Sequence, residues 1–96
     1  MHTVVRTYSG KGAAELIALI VANKPAIDAL MKSVSGFVSY SVVNTGDGGF
    51  TVTVSQSEAD SNEITAKARD WVAKNAAHIA ANPPAVMGGN VAMQIA

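Results

Sequence analysis

The sequence predicts one α+β domain of split β-α-β-β-α-β order, in which a four-stranded antiparallel sheet carries its helices on one face. Three observations lead there. Apolar residues recur at alternating spacing in some stretches and at helical spacing in others. The turn-forming run Thr45-Gly46-Asp47-Gly48-Gly49 divides two alternating stretches in the middle of the chain. And 96 residues, 49% of them hydrophobic and 15% charged, suffice for one core but not for two, so residues 1–96 form a single domain.

The first strand is read from His2 to Ser9, where β-branched and aromatic residues cluster before Gly10 and Gly12. From Gly12 the period lengthens. Leu16, Ile20, Ile27, Leu30, Met31 and Val34 trace one helical stripe, and Pro25 divides it into a kinked helix or two short ones, with Asn23 as the cap of the second. A hairpin follows from Gly36. A three-residue loop, Gly46 to Gly48, would gather Val38, Tyr40, Val42, Phe50, Val52 and Val54 on one face and Ser39, Ser41, Thr51, Thr53 and Ser55, with Phe37 and Val43, on the other; a two-residue Asp47-Gly48 turn would mix them. The sorted register is the expected one. A long helix is predicted from Ser57, capped by Ser57 or Asp60 and ended by Asn82-Pro83-Pro84, with Ile64, Ala68, Trp71, Val72, Asn75 and Ile79 inward. The last strand is expected where Val91, Met93 and Ile95 alternate with Ala92 and Gln94, with a bulge at Gly88-Gly89.

This order gives the ferredoxin-like arrangement, which covers only one face of its sheet. The other face combines small hydroxyl residues with Phe37, Val43 and some of Met87, Met93 and Tyr8, which suits a second sheet around a modest cavity. A homodimer joined through this face is expected. Lys+Arg and Asp+Glu both number 7, so no positive field awaits nucleic acid. The apolar run Leu16 to Ala22 is about a third of the roughly 20 residues needed to span a membrane, and no basic-apolar leader precedes it. A soluble, cytoplasmic protein is the default expectation. Without cysteine there is no disulfide, thiolate ligand or thiol nucleophile.

The stretch SGFVSYSVVNTGDGGFTVTVSQSEA, followed by ARDWVAKN, resembles the dimeric α+β barrel superfamily, in particular small single-domain bacterial proteins related to antibiotic biosynthesis monooxygenases. Its specific part is the Gly-Phe entering the second strand, the Gly-Asp-Gly-Gly turn and the helical Trp. The resemblance implies a homodimeric barrel and three kinds of relative: cofactor-free oxygenases of polycyclic phenols and quinones, heme-degrading enzymes, and proteins with no known activity.

Trp71, Asn75 and His78 fall at i, i+4 and i+7, on one side of the predicted helix. In similar heme-degrading proteins a helical Trp and a later His face the heme, and a first-strand Asn completes the site. His2 to Tyr8 contains no Asn, and the Trp-to-His interval is shorter here. No cofactor is therefore expected, and heme binding or degradation stands as a second alternative to oxygenation. Cofactor-free oxygenation needs hydrogen-bond donors that favour a substrate anion; similar enzymes use Asn, Trp and Tyr, which directs attention to Trp71, Tyr40 and Asn44 as catalytic candidates and to Tyr8, Asn75 and His78 as ligand-binding ones. The competing reading makes Trp71 and Tyr40 core residues, Asn44 a turn residue and His78 a helix-end residue, in a non-catalytic dimerisation or interaction module. His2 and His78 are the only histidines and neither has a carboxylate at ligand spacing, so no metal site is expected. No base stands near the Ser and Thr residues to activate a nucleophile. Gly10-Lys11-Gly12 lacks the full phosphate-loop pattern and reads as a turn.

Overall fold

A computed structural model describes residues Met1–Ala96. Its elements run β1 (His2–Tyr8), α1 (Ala13–Ala22), α2 (Lys24–Lys32), β2 (Phe37–Asn44), β3 (Gly49–Ser55), α3 (Glu58–Asn75) and β4 (Ala85–Asn90). The sheet order is β2-β3-β1-β4 and every pairing is antiparallel, so the ferredoxin-like arrangement is the one observed. No helix is long and apolar enough to cross a membrane.

Pro25 acts as expected. It stands in the first turn of α2, where its missing N–H costs nothing, and the helical stripe becomes two helices. Asn23, however, does not cap α2 with its side chain; Nδ2 donates to Leu19 O at 2.8 Å and so closes the end of α1 instead. Gly12 starts α1 at φ 75°, and a Cβ there would lie 2.7 Å from Ala81 Cα, so only glycine admits the segment after α3 to this turn. Leu16 and Ile20 of α1 form one apolar cluster with Ala76, while Met31, Val34 and Ile64 form another. Each fully buried aliphatic side chain of this kind contributes about 1.5–3 kcal/mol.

The hairpin departs from the expected register. Val43 pairs with Phe50 and Asn44 with Gly49, leaving four residues in the loop, and an irregularity between Phe37 and Ser39 adds a residue to β2. The Asn44 side chain accepts from Gly46 N at 2.8 Å, which tightens the longer turn. As a result Thr51, Thr53 and Ser55 lie buried beneath the helices, on the side of Tyr40, Val42 and Phe37, while Phe50, Val52 and Val54 face outward with Val43, Ser39 and Ser41. Packing distance explains the outcome. A Cβ on Gly49 would stand 3.1 Å from Ile17 atoms, so α1 sits close to β3 at that end and leaves little room beneath it. Ser55 and Ser61 also share a buried hydrogen bond of 2.6 Å, and Ser61 accepts or donates a second, of 2.8 Å, with His2 Nδ1. This triad fastens the start of α3 to β1 and β3.

Two further expectations change. The long helix starts as predicted, with Ser57 Oγ accepting from Asp60 N, but ends at Asn75 rather than at the prolines. Asn75 Nδ2 donates to Trp71 O at 2.9 Å, Ala76 is buried, and a bond from Ile79 N to Ala76 O turns the chain back so that Ile79 packs on the Leu16 cluster. Asn75 is exposed, not inward. The final strand is Ala85–Asn90, including both glycines, because it can pair only as far as β1 reaches: His2 opposes Asn90. Past that point Val91 N still bonds Met1 O at 2.8 Å, but Met93 and Ile95 have no strand beside them.

Candidate functional site

Alternation along β1 points His2, Val4, Arg6 and Tyr8 toward the helices, because these residues oppose Ser55, Thr53, Thr51 and Gly49. Tyr40 opposes Thr53 and points the same way. The second half of α3 faces them with Thr65, Ala68, Trp71 and Val72. These side chains enclose a cavity of about 410 Å³ whose lining is mostly apolar, including Leu16, Ile20 and Ile27, and whose rim is formed by Asn82, Pro83 and Pro84. Tyr40 also borders a second recess of about 300 Å³ beneath α2, and with Ile20, Ile27 and Met31 it lines both spaces.

Of the residues singled out from the sequence, Trp71, Tyr40 and Tyr8 line the cavity together. Asn44 stands at the hairpin end with its side chain in the turn, Asn75 turns back onto α3, and His78 is exposed in the segment after it; none of the three lines the cavity. The i, i+4, i+7 pattern fails at His78 because α3 has already ended.

Burial pushes the Tyr40 phenol up to about 12, with the neighbouring Tyr8 acting in the same direction and the Thr51 hydroxyl and Arg6 opposing it. Tyr8 is also raised, by burial, against the pull of Arg6. Both side chains therefore remain neutral phenols at neutral pH, able to donate a hydrogen bond and unable to serve as bases. Arg6 Nη2 donates to Thr65 Oγ1, whose own hydroxyl donates to Ser61 O at 2.8 Å. Arg6, Thr65 and Arg69 were not anticipated as site residues. Arg6 could have been: it stands two residues before Tyr8 in an alternating strand, which places a charge on the face the helices cover. Arg69 gives no such signal, since its position on α3 reads as solvent-facing. No three His, Asp or Glu side chains come together as a metal site would require.

No protein-family model and no curated protein matches the chain. Solved structures do match it. The ActVA-Orf6 monooxygenase of Streptomyces coelicolor, in complex with nanaomycin D, aligns with a TM-score of 0.69 at 20% identity, over 99% of this chain and 90% of that one. The likeness is one of fold. SnoaB, a cofactor-independent oxygenase from Streptomyces nogalater, aligns at 0.61 with 17% identity, over 98% of this chain and 94% of that one. MhuD, in a mutant form with two manganese protoporphyrin IX molecules per active site, aligns at 0.69 with 15% identity, over 99% of this chain and 97% of that one.

Proposed function

We propose that the chain is an antibiotic biosynthesis monooxygenase-like protein whose cavity binds a small aromatic molecule and promotes its oxidation by dioxygen without a cofactor. One observation carries this reading: two neutral phenols, an indole and two guanidiniums line one mostly apolar space. Such a set recognises a flat ring by stacking and apolar contact, and an oxygen on that ring by donated hydrogen bonds. The likeness in fold to SnoaB and ActVA-Orf6 supports the same reaction class.

The chemistry asked of the protein is modest. A hydroxyaromatic with an acidic ring methylene loses a proton to water, and its delocalised anion is favoured by the phenol donors and by Arg6. The carbanion adds dioxygen; loss of one oxygen atom with the two methylene hydrogens, as water, leaves the other oxygen as a carbonyl. Tyr40 and Tyr8 donate to the developing oxyanion, and Trp71 packs against the ring. Asn44, Asn75 and His78 have no role in this scheme. A heme does not fit the donor set: His2 is bonded to Ser61, His78 is exposed, and neither histidine lines the cavity.

The protein acts as a homodimer in this reading, joined through the outer sheet face. Val5, Phe50, Val52 and Val54 form its centre and Met87 and Val43 extend it, a continuous apolar area of the kind that associates rather than stays wet. Oxygen uptake measured with a panel of anthrones and naphthols tests the activity. Uptake is expected with at least one anthrone, falling about 10²-fold in Tyr40→Phe, the loss typical of one oxyanion donor. Absence of both uptake and binding across the panel would favour the interaction module instead.

A further inference from the structure

We propose that the natural ligand is an aromatic acid, and that Arg6 and Arg69 together hold its carboxylate. This rests on the cavity reading above and narrows its substrate class.

The cavity lining contains both arginines and no Asp or Glu. None of the protein's ion pairs involves either one; all three are lysine pairs, Lys32–Asp28, Lys67–Glu63 and Lys74–Asp70. The Asp nearest Arg69 in sequence, Asp70, is thus engaged by Lys74 at 2.9 Å. Arg6 is half-buried and uses one of its five N–H donors, on Thr65. Thr65 and Arg69 are four residues apart on α3, which places them one above the other on the same helix face. Arg6 therefore meets α3 one turn from Arg69. Half-buried Arg6 and exposed Arg69 thus put two positive charges at one apolar space with no carboxylate of the protein beside them, and an anion of the ligand lying between them offsets both.

A planar carboxylate is the group that suits them. It accepts paired donors from a guanidinium fork, carries a single charge, and leaves the aromatic body free to lie among Trp71, Ile20 and Ile27. A phosphate dianion suits them less. Arg69 lies roughly three turns beyond the start of α3 at Glu58, so the free N–H groups of that helix's N-terminus are out of reach of a phosphate held there.

The test compares 1-hydroxy-2-naphthoate, 1-naphthol and 1-naphthyl phosphate by isothermal titration calorimetry, with quenching of Trp71, the single tryptophan, as an independent signal of where each binds. At neutral pH the naphthoate is expected to bind at least about tenfold tighter than the naphthol, a charge-assisted contact being lost in the latter. Arg69→Met, at an exposed position where folding is not at risk, should remove most of that preference while changing naphthol affinity by less than about twofold. Arg6→Lys should weaken the naphthoate by more than it weakens the naphthol. Added salt should act on the naphthoate alone. Equal affinity of the first two ligands, or a preference that survives both substitutions, overturns the proposal and leaves the cavity reading standing. Tighter binding of the phosphate overturns the carboxylate assignment. If no ligand binds, both readings fall.

Discussion

Tyr40 illustrates how one residue's surroundings set its chemistry. Its side chain borders two recesses, under a helix layer, where a phenolate would lose hydration that Arg6 and Thr51 only partly replace. The unfolded chain releases this proton near 10.0, whereas the folded protein holds it to about 12. Folding is therefore favoured fully below the lower value, and that contribution declines as pH rises through the interval between them. The expected loss is roughly 2 kcal/mol, from the linkage of proton binding to stability. Urea denaturation between neutral pH and about pH 12 measures it, and Tyr40→Phe should flatten the part of the decline that belongs to this group. Ultraviolet titration at the tyrosinate band gives the same information directly. The residue's aromatic character was visible in the sequence; its position beside both spaces was not, since that depends on which way β2 is turned.

At the scale of elements, α3 is held to the sheet by polar as well as apolar contacts. Ile64 anchors its middle, and Ser61 anchors its start through His2 and Ser55. Replacing Ser61 by Ala would leave the His2 imidazole nitrogen without its partner in a buried place, while the Ser55 hydroxyl keeps its bond to Ser57 O, at a cost of about 1–3 kcal/mol. Chemical denaturation would register this as a lower midpoint with an unchanged slope. Element order was legible because period and turn chemistry are local properties: Gly10 and Gly12, Pro25, the Gly-Asp-Gly-Gly turn and the Ser57 cap all lie where elements begin or end. Register was not. The choice between sorted and mixed faces was made on composition, whereas the protein places Thr51, Thr53 and Ser55 inward under helices that approach β3 closely, α1 at Gly49 and the start of α3 at Ser55. The end of α3 escaped for a similar reason, Ala76 being drawn into the core against Leu16 before Pro83 is reached.

Over the whole molecule, the same register concentrates valines on the face the helices leave bare. A central charge there should be decisive for assembly. Val52→Lys places an ammonium opposite its symmetry-related region in a dimer, at a cost of several kcal/mol, while a monomer would expose it to water freely. Sedimentation at micromolar concentration is expected to give a two-chain mass for the natural protein and a one-chain mass for the variant; a one-chain mass for both would remove the proposed assembly. Sequence reasoning reached the existence of this second face correctly, from the count of helices against strands, and placed Val43 on it, but also assigned Phe37 to it and left Tyr8 open, where the protein has Phe50, Val52 and Val54. The cavity has a consequence for the chain's synthesis. One of its two phenols, Tyr8, and one guanidinium, Arg6, come from β1, and its rim comes from Asn82, Pro83 and Pro84, far later in the chain. A polypeptide still emerging from the ribosome holds Arg6 and Tyr8 long before Trp71 and the Asn82-Pro83-Pro84 segment exist to close a space around them, so ligand capture has to wait until those later residues are made.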